Sequence, residues 1–545
     1  MSNVKIIQPV PSSFANRVED FLVRTGERLN PILVKETRQA VKGRLFSITF
    51  TLVLICGWVW SFWGVSQAGP GISHGAHGAE IFYIYSIILA VAVLIVVPFT
   101  AYRSLAAECE DRTYELLSIT TLSPQQIVIG KLGSAVAQML VYFSALAPCL
   151  AFTYLLRGID ILAIVTVLVY MGLISLGMSM FALLIATLST ERHWQVIWSV
   201  VLIIILLLVC WAVCAFVGAV VVFRERIYQE EDFGVINAAA LTFFVTSFAI
   251  FFYAAVARLT FVSDNRATKL RIAMLVQSLA WLGWCSGGLV GVGRVEHELL
   301  GIFLSLAGGY WYFMGAIMTG ESPDLSLRVR RNLPETDLGK FFLSWFFPGP
   351  GRGYVFALAN LATAAMLTIA VVLVTANFAV GRGMRFVNGD GLCAFAVLLF
   401  SYVAIYLGVG LRILRAMRRR GSQVGLLMTL MVQFLLLTFG TLIPLLLSSL
   451  QRYNTQYSLL QITNPFWSTS AVLFDRGIGL ADGNFVALIT LVPLTALIVF
   501  ALNVRDLTQE MHFVRTASPE RITEDDALRS QPQRKKTSPW DDVES

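Results

Sequence analysis

Apolar residues in this chain come in long blocks rather than at the short periods of half-buried strands or helices. The blocks run over 45–65, 81–101, 132–156, 161–188, 196–223, 235–263, 272–293, 299–319, 353–380, 392–411, 424–448 and 484–503. Each holds at least 20 residues. At about 1.5 Å of rise per residue, each reaches about 30 Å, the thickness of a bilayer's hydrocarbon core. The pattern predicts an all-α, polytopic membrane fold with about twelve transmembrane helices.

Polar residues between the blocks set the orientation. Thirty-two of the 41 Lys and Arg residues fall in 1–44, 102–131, 189–195, 264–271, 320–352, 412–423 and 504–545, and eight fall in the alternate loops. Cationic loops stay on the cytoplasmic side, so both termini are expected there, with the chain a multi-pass protein of the cell (inner) membrane. The chain then reads as cytoplasmic amphipathic helices over 1–44, a first six-helix unit over 45–263, a second over 264–503, and a disordered polar tail over 504–545. No short apolar core of a cleavable signal peptide precedes residue 45, so the first span is expected to act as the insertion signal.

Composition sharpens this picture. Apolar residues make up 57% of the 545 and charged residues 14%, against about 25% charged in soluble domains, which excludes a soluble globular enzyme. The net charge of +7 follows from topology. No basic patch with interleaved aromatics occurs, so the bilayer and not a nucleic acid is the expected partner. Of the seven cysteines, all but Cys109 lie in or beside apolar blocks, and no disulfide framework outside the membrane is visible.

Two polar stretches carry organised patterns. Residues 14–29 read as an amphipathic helix, and Asn30-Pro31 opens a second, basic one running to Arg44, suited to the cytoplasmic interface. The loop 102–131 is acidic, with Glu108, Glu110, Asp111 and Glu115 in a protein whose other cytoplasmic loops are basic. Glu110 to Leu117 can form a short helix showing Tyr114 and Leu117 on one face. Ser123-Pro124 then supplies the cap and first residue of a helix passing through Lys131 into the third span. A short cytosolic helix tied between two spans has the form of a lever for a protein groove.

These residues carry a resemblance. Asn30-Pro31, Arg38-Gln39-Ala40, the run Glu108-Cys109-Glu110-Asp111-Arg112-Thr113-Tyr114-Glu115-Leu116-Leu117, Ser123-Pro124, Ile127 and Gly130-Lys131 resemble the permease subunits of ABC-2 type transporters. Arg112 stands where that family usually has Gly. The match is specific over 30–190. Farther along, Asn464-Pro465-Phe466-Trp467 before the last span is similar to a family feature.

The resemblance implies a membrane permease of an ATP-binding-cassette transporter, an exporter by family habit. The coupling residues would be Glu108, Glu110, Arg112, Thr113, Tyr114, Glu115, Leu116, Leu117, Pro124 and Lys131, seated in a separate cytosolic ATPase. It also implies that Tyr457–Phe474 forms a re-entrant or interfacial hairpin. Family members usually have six spans per unit, so twelve means two units in tandem or one with extra helices. A homodimer or a second permease chain would be a further partner. In the tandem case 320–352 would be the second coupling loop. Its Phe341-Phe342 and Trp345-Phe346-Phe347 stripe reads as interfacial anchoring.

The chain's own chemistry points the same way. Gly130-Lys131 and Gly339-Lys340 lack the upstream Gly and the following Ser/Thr of a phosphate-binding loop. ATP would therefore bind a partner chain, with no cofactor or metal expected on this one and no enzymatic activity of its own. No Asp or Glu lies inside any of the twelve blocks, which weighs against a proton-coupled secondary transporter with twelve helices. A polytopic lipid-modifying enzyme would need a polar site at an outer helix end, where only His74, His77 and Glu80 cluster.

Overall fold

The computed structural model describes residues 31–68, 77–111, 123–188, 191–221, 233–261, 263–291, 297–331, 336, 339, 344–378, 389–422, 424–450, 457–474 and 483–511. Among these residues the regular structure is all helical, with no strand. Eleven helices are long and apolar enough to cross a membrane. The chain divides into two compact units between Thr260 and Phe261.

The first unit contains α1 (Pro31–Lys42), α2 (Arg44–Ala68), α3 (Gly78–Glu110), α4 (Pro124–Leu155), α5 (Ile161–Ala186), α6 (Arg192–Val221) and α7 (Phe233–Leu259). Its core is built from Tyr85, Leu89, Leu94, Leu105, Tyr142, Leu146, Met171 and Met180, all fully buried. The outside is equally apolar: Trp58 is 75% exposed and Phe62 80%. Large side chains left bare to this extent suit a hydrocarbon surrounding and not water.

Helix α3 is longer than the apolar block predicts, 33 residues against 21. At about 1.5 Å per residue it extends about 50 Å, beyond the depth of a hydrocarbon core. Its last turns therefore project toward the loop that follows. Midway, Val91–Val96 widens into a π-turn. Pro98 has no N–H for the carbonyl four residues back, and the chain answers by loosening the preceding turn. Ser175 Oγ donates to Val93 O at 2.7 Å and satisfies one carbonyl there.

The second unit contains α8 (Thr268–Gly291), α9 (His297–Thr319), the short α10 (Leu327–Arg331), α11 (Pro350–Phe378), α12 (Gly389–Arg419), α13 (Leu426–Leu450), α14 (Pro465–Leu473) and α15 (Gly483–Met511). Of the twelve expected spans, the block 272–293 forms α8, a helix of span length that is not among the eleven apolar enough to cross. Its first turn carries Lys269 and Arg271, and Gln277 lies further in. Helix α15 continues through Met511, eight residues beyond the expected end of its span. The amphipathic stretch 14–29 and the tail beyond Met511 lie outside the described residues.

Pro444 interrupts α13 and leaves the Gly440 carbonyl without its helical donor. The segment before α14 supplies one replacement and two further bonds around the kink. Thr463 Oγ1 donates to Gly440 O at 3.4 Å, Asn464 Nδ2 to Thr441 O at 3.5 Å, and Gln461 Nε2 to Pro444 O at 3.2 Å. Asn464 also caps α14 through Trp467 N at 3.1 Å. Tyr402 and Tyr406 of α12 hold the same segment by donating to Ile462 O and Thr463 O at 2.5 and 2.6 Å. The Asn464-Pro465-Phe466-Trp467 motif is thus the start of a short helix that repairs a proline kink.

Candidate functional site

The loop singled out by its acidity lies between the end of α3 and the start of α4, and its two flanks meet. Ser123 caps α4 through a reciprocal pair of bonds: its N–H donates to Gln126 Oε1 at 2.8 Å, and Gln126 N donates to its Oγ at 3.3 Å. Pro124, at the first helical position, needs no N–H partner. This start fixes the phase of α4 and turns Lys131 inward, where only 2% of it remains exposed.

A buried ammonium costs several kcal/mol unless paired. Lys131 Nζ lies 3.0 Å from Glu108 Oε1 on α3 and 3.3 Å from Glu36 Oε1 on α1. It donates further to Ser104 O at 3.3 Å. One cation therefore joins three helices.

Packing supports the same junction. Gly130 and Gly133 present bare backbone on the face of α4 that receives α1. A Cβ at Gly130 would lie 2.8 and 2.9 Å from the Ile32 side chain, and one at Gly133 would strike the end of Leu33. Small residues there let α1 approach closely enough for Glu36 to reach Lys131.

Helix α6 is tied to the same end of the unit. Tyr102 OH donates to Gln195 O at 2.7 Å, and Gln195 Nε2 donates to Ala106 O at 3.1 Å. Arg192 Nε lies 3.5 Å from Glu110 Oε1, an exposed pair of little energetic weight. Arg258 of α7 donates to Thr187 O and Leu188 O at 3.3 Å, satisfying carbonyls left at the end of α5.

Of the sequence-derived coupling residues, Glu108 and Lys131 face each other within this junction, Glu110 stands at its edge, and Pro124 starts α4. Arg112, Thr113, Tyr114, Glu115, Leu116 and Leu117 lie outside the described residues. Glu36 is the residue that sequence reasoning misses. Its signal is an acidic residue in the otherwise basic α1.

The loop after α9 in the second unit also folds onto a buried cation. Arg271 is 1% exposed. It donates to Trp345 O at 2.5 Å, Phe347 O at 2.8 Å and Glu321 Oε2 at 2.5 Å. Gly349 N donates to the same carboxylate oxygen at 2.7 Å. Burial pushes the Glu321 carboxyl up from its ordinary value, and the Arg271 guanidinium and Gly349 N–H act against that shift. Phe346 packs edge-on against Phe356 of α11, with ring centroids 5.5 Å apart. The described part of the aromatic stripe is therefore seated on its own unit.

Lys131 and Arg271 are each held by carboxylates and carbonyls. His77 precedes α3 and Glu80 lies in its first turn, while His74 is outside the described residues. Among the described residues no three His, Cys, Asp or Glu side chains are grouped to hold a metal ion. No known protein family, curated protein or solved structure matches this chain.

Proposed function

We propose that the chain is the membrane permease subunit of an ATP-binding-cassette transporter, working as an exporter in the cell's inner membrane and energised by a separate cytosolic ATPase. The resemblance over residues 30–190 suggests the class. The observation that carries the reading is the Lys131 junction. It locks α1, the end of α3 and the start of α4 into one block on either side of the loop proposed to contact the ATPase.

The mechanism follows from that mechanical unit. Closure of an ATPase pair around nucleotide would displace the segment between Asp111 and Ser123. With its flanks joined by Lys131, the displacement cannot be absorbed by splaying α3 from α4. It passes to both helices as a rigid-body movement. Tyr114, Leu116 and Leu117 would fill the partner's groove, and Glu110, Arg112 and Glu115 would make its charged contacts. The chain supplies no phosphate-binding loop of the Gly-Lys-Ser/Thr type, so the nucleotide is assigned to the partner.

The test is co-purification. Full-length chain should retain a cytosolic ATPase through detergent extraction, and Glu115→Arg or Leu117→Arg should abolish retention while leaving the chain folded. Unchanged ATPase association in both variants would remove the loop from the mechanism.

A further inference from the structure

The end of α12 carries five arginines in nine residues, Arg412, Arg415, Arg418, Arg419 and Arg420. Arg418 has a clear structural role, donating to Thr319 O and Gly320 O at 3.3 and 3.0 Å and so closing the end of α9. The other four line a recess of about 350 Å³ together with Ala416.

Helix-end capping does not account for them. Gly421, at φ +85°, ends the helix with Gly421 N donating to Arg418 O at 3.0 Å and Ser422 N to Met417 O at 3.1 Å. That glycine motif already satisfies the last carbonyls. Among the described residues no carboxylate forms an ion pair with Arg412, Arg419 or Arg420. Arg415 is steadied by Asn503 Oδ1 of α15 at 3.3 Å.

Arg412, Arg415 and Arg419 recur at spacings of three and four, which puts them on one helix face. From Arg412 to Arg420 the rise is about 12 Å, so the ladder begins where the apolar block 392–411 ends and runs outward from it. Cations at the edge of a hydrocarbon core lie at the level of the lipid headgroups, where anionic ones are attracted to them. A guanidinium fork binds phosphate oxygens two at a time.

The geometry points to a binding site for a phosphate-bearing anion at the membrane boundary, filled by the headgroup of an acidic phospholipid. A soluble phosphate could meet the same guanidinium groups, but only a lipid would also cover the apolar surface that flanks the ladder. Exposed Ile413 lies beside it, with Leu502 exposed on α15 next to Asn503. These are apolar surfaces that an acyl chain would cover.

The experiment is native mass spectrometry of the full chain in detergent with an equimolar mixture of phosphatidylglycerol and phosphatidylcholine. The chain should retain phosphatidylglycerol selectively. Each arginine near an anionic surface contributes about fivefold to partitioning. Arg412→Gln and Arg419→Gln should therefore each lower the preference about fivefold, and replacing all four with Gln should lower it more than tenfold. The fourfold Lys variant, which keeps the charge and protects against misfolding as an explanation, should keep most of it. Millimolar inorganic phosphate should leave the lipid bound. Undiminished preference in the Gln variants, or displacement of the lipid by inorganic phosphate, would overturn the proposal.

Discussion

Replacing Lys131 with methionine should release α1 from the rest of its unit. The two contacts to Nζ, 3.0 and 3.3 Å, place the Glu108 and Glu36 oxygens no more than about 6 Å apart. Without the ammonium, two carboxylates at that separation repel by roughly 2–3 kcal/mol at an effective dielectric constant of about 20. The Glu36 and Glu108 side chains are 10% and 19% exposed, so solvent relieves only part of this. Adding the lost attraction, the cost is about 3–5 kcal/mol, the range for breaking a buried pair from one side.

Hydrogen exchange of the full chain in nanodiscs measures this directly. Amides of α1 should exchange at least about 100-fold faster in Lys131→Met, because about 1.4 kcal/mol corresponds to a factor of ten. Combining Lys131→Met with Glu36→Gln removes the repulsion and should recover part of the protection. Exchange of α1 unchanged in Lys131→Met, or no slower in the double variant than in the single one, would refute the electrostatic account of this junction.

Other outcomes follow from the same structure. Gly130→Ala should loosen α1 by about 1–3 kcal/mol through overpacking against Ile32, whereas Gly133→Ala should cost less because the flexible end of Leu33 can move; exchange of α1 distinguishes them. Thr463→Val should destabilise the second unit by about 1 kcal/mol by removing the donor to Gly440 O, read by thermal unfolding in detergent. Asn464→Ala should cost about 1–2 kcal/mol in the same assay because it also removes the cap of α14. Arg271→Met should cost about 3–5 kcal/mol by leaving Glu321 and three carbonyls without their shared donor, seen as proteolysis near Trp345.

The helices were legible in the sequence because a span needs only length and uniform apolarity, both local properties. Their ends were not. Helix α3 keeps helical hydrogen bonding through Glu110, after hydropathy has fallen, since Leu105 and Cys109 still face the core. The Ser123-Pro124 start was legible because capping is chemistry between neighbours in sequence. The use of Lys131 was only half legible: Gly130-Lys131 marked the place, but its partners lie on two other helices. Glu36 and Glu108 become a pair only when α1 nests on the glycines of α4. Likewise Pro444 announced a kink, while the side chains that repair it lie beyond the end of α13.

An external ATPase pushing on residues 102–131 is the core of the proposed mechanism. A photo-crosslinking amino acid placed at Tyr114 in cells making the full-length chain tests it most directly. Light should produce an adduct with a nucleotide-binding cytosolic protein, and trapping ATP should strengthen it. Adducts to lipid alone, or labelling of that position by a membrane-impermeant reagent applied from outside the cell, would contradict it.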